Sequence, residues 1–159
     1  MILVSACLLG KNVKYSGGNN LCPWLAKYEH HTNMLYLCPE CLGNLPIPRP
    51  PAEIIGTGGD AVLAGTASVQ NKDGVDITAH FIDGAAAVLA LVKKHNIHYA
   101  VLKARSPSCG SNSIYDGSFS GKIIPGSGVT AALLQKHGVK VFTEETITEA
   151  EFCRLLLDI

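Results

Sequence analysis

The chain has 159 residues, with 13 basic and 13 acidic side chains and a charged share of 16%, against about 25% in an average soluble domain. That length suits one domain with a sizeable core. There is no basic stripe to bind a nucleic-acid polymer, no apolar run long enough to span a membrane, and no disordered tail, so the expected partner is a small molecule.

Met1 to Ala6 is apolar and ends at Cys7-Leu8-Leu9-Gly10, with residues 2–6 reading as a first β-strand. Leu3 to Cys7 mimics a lipoprotein cleavage box. Only six residues precede Cys7 and none is basic, so the stretch lacks the regions of a signal peptide and the protein is expected to be cytoplasmic. Residues 11–20 are polar and glycine-rich, hence a loop. Asn20 can cap a helix over 21–31 with Pro23 in its first turn.

Met34 to Leu37 is a second strand, ending in the turn Cys38-Pro39-Glu40-Cys41. Prolines at 46, 48, 50 and 51 make 42–51 a stiff irregular loop. Gly56 to Asp60 reads as a turn and Thr66 to Gln70 as a strand, closed by the turn Asn71 to Gly74. Apolar residues recur at helical intervals from Thr78 to His95, with Asp76 or Thr78 as cap.

Residues 98–104 read as another apolar strand, which stops at Arg105-Ser106-Pro107-Ser108-Cys109-Gly110. Residues 114–128 read as a long loop. A helix over 130–137 closes at Gly138, Val139 to Phe142 is the last strand, and Thr148 with Glu151 forms a capping box for a final helix. The alternation predicts a single α/β domain, a Rossmann-like three-layer sandwich with a largely parallel sheet and cysteines at the carboxyl ends of its strands.

Six cysteines, at 7, 22, 38, 41, 109 and 153, are expected to be reduced in the cytosol and to serve catalysis or metal binding. Cys7, Cys38 and Cys109 each follow a predicted strand. If the strands are parallel, the three thiols share one sheet edge, where open α/β sheets bind ligands. Neighbouring thiolates repel unless a cation holds them, which favours zinc or an iron–sulfur cluster. Three cysteines leave one iron of a four-iron cluster open.

The plainer readings stand beside these. Cys22 and Cys153 read as packing residues. Cys38 and Cys41 alone form a redox dithiol motif; such motifs usually open a helix, which the proline-rich sequel disfavours. Six scattered histidines mark no base. Glu40, beside Cys38, is the candidate carboxylate for proton handling, or else a surface turn residue. Glu53 reads as a helix-start charge. Ser106 and Ser108 serve chemistry or simply the turn. Tyr15, Arg49 and Asp116 bind substrate or tie down their loops.

These same residues carry a family resemblance. Ser5-Ala6-Cys7-Leu8-Leu9-Gly10 with Tyr15 and Gly17, Cys38-Pro39-Glu40, and Pro46-x-Pro48-Arg49-Pro50-Pro51-Ala52-Glu53 form its first half. Lys103-x-Arg105-Ser106-Pro107-Ser108-Cys109-Gly110 and Ile114-Tyr115-Asp116-Gly117-Ser118-Phe119 complete it. Together they resemble the bacterial thiouracil desulfidase (desulfurase) family, formerly a domain of unknown function.

The resemblance implies a cytoplasmic, oxygen-sensitive enzyme with a 4Fe-4S cluster on Cys7, Cys38 and Cys109. Its open iron would take sulfur from a thiolated base such as 2-thiouracil, giving uracil and sulfide. Glu40 and Ser106 would handle protons, while Tyr15, Arg49, Ser108 and Asp116 are the candidates for holding substrate. A homodimer is compatible with this reading. Cys41 has no place in the resemblance. The alternatives are a non-enzymatic cysteine metal site, zinc or iron–sulfur, and a thiol redox protein using Cys38 and Cys41.

Overall fold

Four apolar residues with no polar alternation form β1, Ile2–Ser5, buried along its whole length. The computed structural model, which describes residues 1–158, sets it in the middle of a parallel sheet. Its neighbours are β2 (Met34–Leu37) on one side and β5 (Tyr99–Leu102) on the other, with β8 (Lys140–Thr143) outside β5. A strand buried on both faces loses the polar positions of a two-sided sheet, which is why β1 and β5 read as continuous apolar runs.

The two faces of β1 pack separately. Ile2 and Val4 meet Leu25, Phe152 and Leu156. Leu3 meets Val88, Val92 and Leu134. The first face is covered by α1 (Pro23–Ala26) and α6 (Glu149–Leu157), the second by α4 (Thr78–Lys94) and α5 (Val129–Lys136). This is the expected three-layer Rossmann-like sandwich.

The α4 helix presents Phe81, Ala85, Val88 and Val92 on one buried stripe. The α6 helix is capped as its sequence suggests, Thr148 Oγ1 accepting from the Glu151 N–H at 3.2 Å. At the end of α5, Gly138 takes the left-handed conformation with φ 81°.

Several expectations change. The helix over 21–31 shrinks to the single turn of α1, whose first cap position is Cys22 rather than Asn20. Asn20 is instead drawn into the loop, its N–H donating to Cys7 O at 3.0 Å. The turn after Cys38 is a short helix, α2 (Pro39–Leu42), with Cys38 at its cap position. A proline at the first helical position gives up only a donor that has no partner there.

Neither Asp76 nor Thr78 occupies the cap of α4, which is Ile77 with no side-chain bond. Asp76 accepts from the Thr78 N–H, and Thr78 Oγ1 accepts from the Val69 N–H, both at 2.9 Å. Glu53 starts no helix. It lies on β3 (Ala52–Ile55), antiparallel to β4 (Ser68–Asn71).

The turn at 56–60 runs into a helix, α3 (Gly59–Leu63). The expected loop of 114–128 contains an antiparallel hairpin, β6 (Ser113–Tyr115) with β7 (Ile123–Pro125). Both hairpins share a third core cluster, Ile54, Val69 and Ile114 packing with Phe81 and Ala85 of α4.

The α2 turn is seated by two glycines. A Cβ on Gly84 of α4 would strike the Pro39 carbonyl, and one on Gly43 would strike the carbonyl of His80. The backbones of α2 and α4 therefore meet with no side chain between them. Residue 80 also locks the junction from its ring, His80 Nδ1 lying 2.7 Å from Gly43 O.

Candidate active site

The sheet order places the change of direction between β1 and β5, the usual position for a ligand crevice. A cavity of about 520 Å³ opens there, lined by Cys7, Cys38 and Cys109 together with Glu40, Ser106 and Arg49. That volume suits a small ligand or cofactor site.

Cys7 lies in a 3₁₀ turn, Ala6–Leu9, that continues β1. Cys38 follows β2, and Cys109 lies past the Ser106-Pro107-Ser108 turn beyond β5. Three separate segments thus deliver one thiol each.

All three thiols are held above the ordinary thiol range, burial being the main cause. For Cys109 the neighbouring Cys38 and Cys7 push in the same direction. Thiols in this state are deprotonated by a bound cation rather than by the protein alone. Among the described residues, no group of three or more His, Cys, Asp or Glu side chains is gathered closely enough to hold one metal ion. Three thiols bordering one large cavity fit a multi-iron cluster, whose thiolate ligands bind different irons.

Ser5 connects two of the strands to this site. It is 2% exposed, accepts from the Lys103 N–H at 3.0 Å and donates to Cys109 Sγ at 3.6 Å. The hydroxyl at the end of β1 therefore fixes both the end of β5 and the Cys109 thiol.

Glu40 is not the surface turn residue of the plainer reading. Its Oε1 accepts from Arg49 Nε at 3.1 Å. Burial pushes its carboxyl above the ordinary range, and Arg49 only partly offsets this. Arg49 donates further from Nη1 to Pro46 O at 3.2 Å and from Nη2 to Val13 O at 2.9 Å. It lines the cavity, but three of its donors are committed to holding Glu40 and two loops.

Ser106 Oγ accepts from the N–H groups of Ser108 and Cys109, both at 3.1 Å. Two donors fill its acceptor positions, so its own proton is the group left to point elsewhere. Tyr15 lines the cavity at 44% exposure.

Two candidates lie apart from it. Ser108 is 1% exposed and spends its hydroxyl on Thr130 Oγ1 at 3.0 Å. Asp116 accepts from the Ser118 N–H at 2.9 Å and its hydroxyl at 2.5 Å, and so shapes the β6–β7 turn. Neither is part of the cavity lining.

Sequence reasoning passed over Glu53, Lys103 and Asn20, all of which border the cavity. Glu53 accepts from the N–H groups of Gly117 at 2.9 Å and Phe119 at 3.2 Å, fastening the second hairpin over the site. Lys103 Nζ donates to Glu144 Oε1 at 2.5 Å, and the Asn20 side chain opposes the upward push of burial on the Cys7 thiol. Glu53 and Lys103 stand in the recognised motifs, which was the available signal.

Comparison with known proteins agrees with this geometry. A family model described as 2-thiouracil desulfurase matches residues 2–146. An uncharacterised protein of Bacillus subtilis (strain 168), YbbK, is 46% identical over 149 residues, covering 94% of this chain and 99% of its own. A solved structure described as the 4Fe-4S-dependent thiouracil desulfidase TudS superposes with a TM-score of 0.83 at 41% identity, covering 98% of this chain and 97% of its own. The chain belongs to the 2-thiouracil desulfurase family.

Proposed function

We propose that the protein is a 4Fe-4S-dependent desulfidase that removes sulfur from a small thiolated nucleobase such as 2-thiouracil, releasing uracil and sulfide. The observation that carries this reading is the delivery of Cys7, Cys38 and Cys109 by three segments to one cavity that also holds Glu40 and Ser106. The same family and its solved member support it. Cys7, Cys38 and Cys109 would hold the cluster. When bound, it supplies an open iron as a Lewis acid and sulfur acceptor.

The net exchange is balanced by water: C=S and H₂O become C=O and H₂S, with no change of oxidation state. Glu40 serves that exchange through Oε2, since Oε1 is bonded to Arg49. Its raised carboxyl is a better base than an ordinary one, and it can take a proton from water and return it. Ser106 offers its hydroxyl proton to the substrate atom facing it. Arg49 positions Glu40, and Tyr15 closes one wall. The free thiols of all six cysteines suit a reducing cytoplasm. Among the described residues, no helix is long and apolar enough to cross a membrane.

The test is anaerobic reconstitution with iron and sulfide counted per chain, followed by a 2-thiouracil assay on the same sample. About four irons are expected, with uracil and sulfide released in equal amounts. Cys7→Ala, Cys38→Ala and Cys109→Ala should each lose both iron and activity, whereas Cys41→Ala should keep both. A zinc-loaded, iron-free protein would sink the reading.

A further inference from the structure

Cys41 is, with Cys22 and Cys153, one of three thiols for which the site has no use. It does not line the cavity that Cys7, Cys38 and Cys109 border. It is nevertheless close to one of them. Cys38 sits at the cap position of α2 and Cys41 lies within the same single turn. Residues three apart on a helical turn share a face. The two sulfurs approach the same carbonyl, Val13 O, at 3.9 Å and 3.8 Å. The Cys41 thiol and its backbone N–H both lie beside the Cys38 sulfur. Cys153 is instead 2.8 Å from the Tyr28 hydroxyl.

We propose that Cys41 is the resolving thiol of Cys38: when the site is without its cluster and meets peroxide, the two close a reversible disulfide that spares Cys38 from irreversible oxidation. The chemistry balances in two steps. Hydrogen peroxide oxidises the Cys38 thiol to a sulfenic acid and is itself reduced to water. The Cys41 sulfur then attacks the Cys38 sulfur, forming the S–S bond and releasing the sulfenic oxygen as a second water. A dithiol reductant restores both thiols. Without a neighbour, a sulfenic acid proceeds to sulfinic acid, which a dithiol does not reverse. Cys7 and Cys109 have no spare cysteine on their own segments, so the device protects Cys38 alone.

The proposal rests on the cluster reading only for its purpose; the disulfide is measured without cluster or substrate. Full-length protein free of cluster is treated anaerobically with hydrogen peroxide at alkaline pH, where the thiolate fraction of buried Cys38 rises. It is quenched with N-ethylmaleimide and mapped by mass spectrometry. The expected result is two thiols lost per chain, both in the peptide holding Cys38 and Cys41, with that peptide two hydrogens lighter and fully restored by dithiothreitol.

Cys41→Ser and Cys41→Ala should load iron like the parent before oxidation. After the same peroxide dose they should carry on Cys38 a sulfinic acid that a dithiol does not remove, while dithiothreitol returns Cys38 of the parent to the thiol. A parent chain that accumulates Cys38 sulfinic acid, or that joins Cys38 to Cys7 or Cys109, overturns the proposal. So does a Cys41 variant that fails to load iron before any oxidation, since Cys41 would then be a ligand. A protein that forms the Cys38–Cys41 bridge but never desulfurates thiouracil keeps this inference and loses the proposed activity.

Discussion

Arg49→Met tests the link between the proline-rich loop and the acid in the cavity. It keeps the aliphatic stem and removes three donations, to Glu40 at 3.1 Å, Pro46 O at 3.2 Å and Val13 O at 2.9 Å. The side chains of the pair are 4% and 16% exposed, so solvent screens them little. Breaking a buried pair by removing one partner costs roughly 3–5 kcal/mol. Glu40 borders a cavity that water can enter and can take up a proton, which places the cost at the lower end, about 3 kcal/mol. For a chain of this size each kcal/mol shifts Tm by roughly 2–4 °C, so a fall of roughly 6–12 °C is expected.

The pH dependence separates lost charge pairing from lost packing. Burial already holds the Glu40 carboxyl above its ordinary 4.5, with Arg49 opposing. A carboxyl raised in the fold contributes stability below its unfolded value, and that contribution is lost as pH rises through the folded value. Without Arg49 the folded value rises further, so the variant loses more than the parent as pH increases. Thermal unfolding of the cluster-free protein, followed by circular dichroism, should show a Tm gap that widens from about pH 5 to about pH 8. In the double variant Glu40→Gln with Arg49→Met that widening should vanish. A gap that stays constant or narrows refutes the argument.

Gly84→Ala puts a methyl against the Pro39 carbonyl and should displace the turn carrying Cys38 and Glu40; a stability loss of about 1–3 kcal/mol with weakened iron loading is expected from denaturant titration and iron counts. Ser5→Ala leaves the buried Lys103 N–H without its acceptor, which should cost about 1–3 kcal/mol and slow iron uptake without abolishing it. Ser106→Ala removes the acceptor of two N–H groups and the free hydroxyl together; turnover should fall while iron content holds, whereas loss of iron in step with turnover would make Ser106 only a support for Cys109.

The parts of the fold that were legible in the sequence are those with a strong local signature. The stripe of Phe81, Ala85, Val88 and Val92 repeats at helical period, and its helix runs Thr78–Lys94 against an expectation of 78–95. The apolar runs of β1 and β5 suit strands buried on both sides, as in a parallel sheet, and the two pair in parallel. What stayed hidden has strands of three or four residues. In β6 and β7 only three positions each are available to show alternation, and glycines surround them. The β3 strand begins directly after two prolines, at Ala52, so the polyproline reading of the preceding loop masked it.

That Cys7, Cys38 and Glu40 line one cavity could be anticipated because each follows a strand closely. The role of Glu53 depends on N–H groups of Gly117 and Phe119, far along the chain. No local pattern announces such a bond. Ser108 and Asp116, named as substrate-holding candidates, lie outside the cavity lining. Both stand in motifs rich in small polar residues, and both spend their oxygens on neighbours that hold a turn or a helix in place.

The position of the three thiols follows from topology more than from any one motif. The chain forms β1, steps outward to β2, then returns across β1 to place β5 on its other side. The loops leaving β1 and β5 consequently part in opposite directions, and a crevice opens between them that no single loop fills. Cys7 and Cys109 stand on its two sides, and Cys38 enters from β2. The outer strand β8 supplies no thiol, but the residue after it, Glu144, accepts from Lys103 Nζ and the Ala104 N–H. The end of β5 is thereby held from both flanks, by Ser5 on one side and Glu144 on the other. The segment leading to Cys109 is thereby anchored on both sides by groups from the neighbouring strands, so the place of that thiol is set by the sheet and not by its own loop.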